Sequence, residues 1–222
     1  MKRLFILFGS SVLFLVSCNS VSKKAVENEN LKAELTDIYT IDQQYSGIPF
    51  GKYLNYPQQE SWKRFEKARD SISDININKA ENILKQYGFP GINLVGEEGS
   101  KHFWIIAQHA DNNIDFQKKV LKMMKKEIKK GNANKSDYAY LYDRIRKNEK
   151  KKQYFGTQVE YNKLHQATPL YGLEDSINVD KRRAEYNMKP LKEYLNQMTE
   201  MHFEMNKEIM LKNNINEPQL YK

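Results

Sequence analysis

Four short stretches of this 222-residue chain carry side chains suited to acid–base or anion chemistry, and each interrupts an apolar or patterned run. They are Asp42, the run Gln108-His109-Ala110-Asp111, the pair Asp143-Arg144, and Thr157-Gln158. Acid–base catalysis needs a proton acceptor, a carboxylate that orients it and a group that holds the reacting partner. His109 supplies the first, Asp42 or Asp143 the second, and Arg144 can hold an anion. The catalytic candidates are therefore His109, Asp42 and Asp143. The ligand-binding candidates are Gln108, His109, Asp111, Arg144, Thr157 and Gln158. The same residues can also form a purely structural network, with Asp42 or Asp143 paired to Arg144 and His109 bonded to Gln158. Burying such a set is costly unless every member is satisfied. Structure or ligand binding is the first expectation, and catalysis through His109 the alternative.

Other chemistries lack their residues. His102 and His109 lie seven positions apart, about 10 Å along a helix, too far to share one zinc ion. No His-x-x-x-His pair occurs, so no metal site is expected. There is no Gly-x-Ser-x-Gly elbow. Thr157 after Gly156 has the residue type of a nucleophile beside His109, and nothing more. No phosphate loop, dinucleotide fingerprint or nucleic-acid module is present, so neither a cofactor nor nucleic acid is expected.

The elements that must position these groups follow from periodicity and punctuation. Gly88, Pro90 and Gly91 force a turn, and Gly96 a second one. Glu97, Glu98 and Ser100 suit the first turn of a helix. From His102 to Ala110 no polar face is left, as in a buried helix or a buried strand; the acidic start and the polar stop at Asn112-Asn113 favour helix. That puts Gln108 and His109 in its last turn. Upstream, Leu31, Leu35 and Ile38 share a helical stripe that continues onto Asp42. Either Asp42 is a carboxylate on a buried face that needs a partner, or the helix ends near Ile41 and Asp42 is solvated.

The remaining chain reads as mainly helical. A loop is expected over 46–57, helices over 62–72 and 79–87 with a break at 74–78, and an amphipathic helix over 114–130. Further helices are expected over 136–148, 175–186 and 191–211, with a small β-hairpin near 154–171 made of a short strand over 153–158 and a return strand near 165–171. In the last helix Leu191, Tyr194, Leu195, Met198, Met201, Met205 and Ile209 form the expected apolar side. The 114–130 helix sets Phe116, Val120, Met124 and Ile128 against a cover of seven lysines. Such a helix is usually packed on a core with a solvated basic face; on an anchored protein it also suits anionic lipid.

The start of the chain gives an address. Residues 1–17 read as a secretory signal, with Lys2 and Arg3 before an apolar run. Leu15-Val16-Ser17-Cys18 resembles the lipobox of bacterial lipoproteins, and Cys18 is the only cysteine. The resemblance implies cleavage before Cys18 and acylation there, which makes a lipid bilayer the expected partner. Residues 18–28 then form the acylated cysteine and a polar tether, and residues 29–222 a single helical domain. Loss of Lys2 and Arg3 lowers the formal charge from +8 to +6. Asn19 follows the cysteine, with no aspartate beside it and no acidic run. By the sorting rules of such lipoproteins, that points to the outer membrane, facing the periplasm.

The ordered motifs resemble a bacterial family catalogued only as a domain of unknown function. They are Asp42-Gln43, Gly88 and Pro90, Val95-Gly96, Trp104, Gln108 to Asp111, Phe116-Gln117, Asp143-Arg144, Gly156-Thr157-Gln158 and Arg182-Arg183. The resemblance spans about residues 31–194. It implies one domain with a shared polar centre and supplies no activity. The family pattern has tyrosine directly before the glycine, where this chain has Phe155, so a tyrosine hydroxyl cannot act there.

Overall fold

The computed structural model describes residues 28–222. The leader, Cys18 and the tether up to residue 27 lie outside the described residues. The chain folds mainly as α-helix, with one two-stranded antiparallel hairpin. In order, the elements are α1 (Glu29–Ser46), a short 3-10 turn (Gly51–Asn55), α2 (Gln58–Tyr87), α3 (Ile92–His109), α4 (Ile114–Ile128) and α5 (Lys135–Asn148). Then come β1 (Val159–Tyr161), β2 (Ala167–Pro169), α6 (Val179–Glu185), α7 (Leu191–Met205) and α8 (Lys207–Lys212).

The pairing of α1 with α3 sets the site. Asn28 caps α1 by accepting the Leu31 N–H at 3.0 Å. Its own N–H donates to the Leu94 carbonyl at 2.6 Å. Eight residues on, the Thr36 hydroxyl meets His102 Nδ1 at 3.2 Å, and Tyr39 stacks on the His102 ring. At the far end Asp42 meets His109. The constant offset of 66–67 residues means the two helices run parallel. Leu31, Leu35, Ile38 and Asp42 are the buried face of α1, so the stripe does continue through the aspartate.

Helix α3 is the buried one, with Phe103, Ile106 and Ala107 essentially without exposure. Gly96 interrupts it at φ 72°, ψ 174°, a conformation closed to other residues; the turn before it, Ile92–Val95, is also helical. Helix α4 packs Phe116, Val120 and Met124 inward.

Three expectations are corrected. Residues 74–78 do not break a helix: α2 runs unbroken for 30 residues. The stretch has no Gly or Pro, and the weak propensity of Asp and Asn is overridden by burial of Asn76, Ile77 and Ala80. Residues 153–158 are not a strand. The hairpin lies later, in the register Val159↔Pro169 to Tyr161↔Ala167. The helix expected over 191–211 breaks at Asn206, whose side-chain amide donates to the His202 carbonyl at 2.8 Å. Its inner face is Tyr194, Leu195, Thr199 and Phe203, so Met201, Met205 and Ile209 are exposed.

Candidate functional site

The parallel pairing of α1 and α3 carries Asp42 and His109 to the same end of the fold. A cleft of about 430 Å³ opens there. Asp42, Tyr45 and Ser46 line it from α1, and Arg69, Asp70, Ile72 and Ser73 from α2. His109 lines it from α3, Asp111 and Asn112 from the α3–α4 link, and Arg144 from α5. Asn112 accepts from the Ser73 hydroxyl and donates to Asp74 at 2.7 Å, which ties the link to α2.

At its centre His109 Nδ1 stands 2.6 Å from Asp42 Oδ2. A carboxylate only accepts, so Nδ1 carries the proton and donates it. The neutral ring then has its lone pair on Nε2, which has no partner among the described residues. The ring is about one-third exposed (34%), whereas the Asp42 side chain is nearly buried (9%). Gln43 Nε2 donates a second bond to the same carboxylate oxygen at 3.0 Å. The Ser46 hydroxyl donates to the Asp42 carbonyl at 2.8 Å and lies 3.2 Å from His109 Nδ1. Ser46 therefore shares the nitrogen that Asp42 occupies. A serine nucleophile must face the other nitrogen, so Ser46 is not one.

Arg144 is held as a fork on Asp111, Nε to Oδ1 at 2.8 Å and Nη2 to Oδ2 at 2.6 Å. Its Nη1 donates to Gln158 Oε1 at 3.2 Å. Asn148 and Lys147 also donate to Asp111. Burial pushes the Asp111 carboxyl up, but the bonds from Arg144 and Asn148 and the charges of Arg144 and Lys147 outweigh it and hold the group below its usual range. Asp111 is thus a saturated anchor for α5, and Arg144 pairs with it rather than with Asp42 or Asp143. Nor is His109 bonded to Gln158.

The other candidates sit outside the cleft. Asp143 is fully buried and accepts the backbone N–H groups of Tyr154, Phe155 and Thr157 and the Thr157 hydroxyl. Burial outweighs these bonds and raises its carboxyl. Thr157 spends its proton on Asp143 and accepts from Gln158 Nε2, so it is not a nucleophile beside His109. From the other side Arg183 donates to the Phe155 carbonyl at 2.7 Å, Arg182 to that of Tyr154 at 3.0 Å, and Tyr194 to that of Thr157 at 2.8 Å. The turn Tyr154–Thr157 is therefore clamped between a buried anion and two cations. Gly156 bends it at φ 72°, and a Cβ there would stand 2.8 Å from Leu191 Cδ1. The Phe155 ring packs against the rings of Tyr142 and Tyr186. Gln108 is buried, with Oε1 unpartnered, and does not line the cleft.

Arg69 and Asp70 were not among the candidates. Arg69 shares a face with Phe65 and Ile72, and a charge on an apolar stripe is the same signal that singles out Asp42. Its ion pair with Glu66 is long, 3.9 Å, and it makes no side-chain hydrogen bond among the described residues, so its N–H donors are open to a ligand. His102, nearly buried against Tyr39 and Thr36, takes no part in the cleft, and burial lowers its basicity. Among the described residues no three His, Cys, Asp or Glu side chains are grouped to share a metal ion.

Residues 63–206 match a family model described as a family of unknown function (DUF6624). No curated protein and no solved structure matches the chain.

Proposed function

The chain belongs to the DUF6624 family of unknown function, and we propose that it is a lipid-anchored protein of the bacterial cell envelope whose cleft binds a small polar ligand and takes up a proton from it. The observation that carries this reading is the 2.6 Å bond from His109 Nδ1 to Asp42, which leaves Nε2 bare at the cleft. A histidine locked by a carboxylate on one nitrogen and free on the other is built to accept a proton. Arg69 supports a ligand with a carboxylate or phosphate group, because its only ion pair among the described residues is the long one to Glu66 and its N–H donors make no hydrogen bond there. Asp70 and Ser73 add a second acceptor and a hydroxyl to the same wall. With Ser46 and Thr157 excluded as nucleophiles and the Ser73 hydroxyl proton donated to Asn112, the covalent change this cleft supports is one on water or a ligand hydroxyl activated by His109.

The bare nitrogen is measurable. Nitrogen-15 spectra of the imidazoles should show His109, in its neutral form, protonated at Nδ1 and unprotonated at Nε2. A dominant Nε2–H tautomer would end the general-base reading.

The anchor rests on Leu15-Val16-Ser17-Cys18, and the sorting residue Asn19 favours the outer membrane, facing the periplasm. Mass spectrometry of the N-terminal peptide from membranes should find Cys18 first and acylated. An unmodified terminus elsewhere removes this half of the reading.

A further inference from the structure

Helix α4 faces solvent with lysine. Lys118 and Lys130 are tied to Glu149 and Glu127. Lys119, Lys122, Lys125, Lys126 and Lys129 are exposed and make no ion pair among the described residues. Five cations on about three turns, unpaired among the described residues, repel one another, and self-repulsion on one face is a cost that an opposing anionic surface would relieve.

The position of this helix says which surface. Asn132, just past α4, accepts the Ile92 N–H at 3.1 Å through its carbonyl and the Asn93 N–H at 2.7 Å through its side chain. The next residue, Leu94, accepts the Asn28 N–H. Asn28, the first described residue, therefore lies beside the C-terminal end of α4. Helix α4 itself starts just past Asn112, which lines the cleft, and runs back to this end, so its lysine face lies along the side of the domain. The residues between Cys18 and Asn28 reach at most about 35 Å, so an anchor at Cys18 would keep this end close to lipid.

We propose that the exposed lysine face of α4 is a second membrane contact, seated on anionic phospholipid. This rests on the lipid-anchor reading for its biological setting, though not for its test. Each lysine near an anionic surface adds about fivefold to binding at low salt, and the effect fades beyond a Debye length of about 10 Å.

The test uses the chain from Asn19 onward, which keeps every described residue and lacks Cys18. It is sedimented with vesicles of phosphatidylcholine alone or with one-third phosphatidylglycerol. Binding is expected only to the anionic vesicles and should weaken steeply with salt. Lys122→Gln, Lys125→Gln, Lys126→Gln and Lys129→Gln together should reduce it by roughly 600-fold at low salt. A variant with the same charge loss elsewhere, at Lys163, Lys181, Lys192 and Lys212, should bind nearly as the parent does. No binding at low salt, an equal loss in the control variant, or tighter binding to polyglutamate than to vesicles would each overturn the proposal. None of these results bears on Cys18, which mass spectrometry decides, or on the cleft.

Discussion

Replacing Asp143 by alanine is expected to cost about 3–5 kcal/mol of stability, the cost of breaking a buried charged network. Three backbone N–H groups and the Thr157 hydroxyl converge on this carboxylate. Removing it leaves buried donors unsatisfied at about 1–3 kcal/mol each, while relief of the carboxylate's own desolvation returns part of that. The loss should spread, because Arg182 and Arg183 hold the same turn from its carbonyl side. Asp143→Asn should fall between, since one amide oxygen still accepts while the amide N–H groups oppose backbone donors. Urea unfolding decides: the midpoint should fall with little change in slope. A loss below about 1 kcal/mol would mean that the turn is held mainly by Arg183 and Tyr194.

This clamp explains why Asp143 reads in the sequence as a site residue. Asp143 and Arg144 are adjacent, but neighbours on a helix point about 100° apart. One points into the core to hold the 154–157 turn, and the other reaches the cleft wall. The sequence shows a charged pair and cannot show that its members serve different places. The strand expected over 153–158 failed for the same reason. A strand donates its N–H groups to a neighbouring strand, and here Asp143 takes three of them. The convergence of Asp42 and His109 was legible, because each breaks a buried pattern that its own helix cannot satisfy. Arg69 carries the same mark on α2, between Phe65 and Ile72. The unbroken length of α2 depends on burial of Asn76 and Ile77 against distant elements, which local propensity does not report.

The largest functional effect is expected at His109, and the choice of substitution matters. Asp42 is nearly buried and has His109 and Gln43 as its side-chain partners. His109→Ala removes the base but also strips the carboxylate of a donor, which should cost about 1–3 kcal/mol. His109→Gln can still donate an amide N–H toward Asp42, while it has no nitrogen able to accept a proton. Its stability should stay within about 1 kcal/mol of the parent. A ligand is first found by ligand-observed NMR with small carboxylates, phosphates and sugars, and both variants are then compared on it. If the cleft performs proton transfer, both should lower turnover by about 10²–10⁴-fold. Binding by His109→Gln should stay close to that of the parent, because Arg69 and the α2 wall are untouched. Asp42→Asn should also reduce turnover, since an amide can donate to Nδ1 and move the ring proton to Nε2. If His109→Gln binds and turns over as the parent does, the imidazole is a structural partner of Asp42 and the cleft's chemistry lies with Arg69 and Asp70. If it loses binding with no turnover ever detected in the parent, the cleft is a receptor site and His109 a ligand contact.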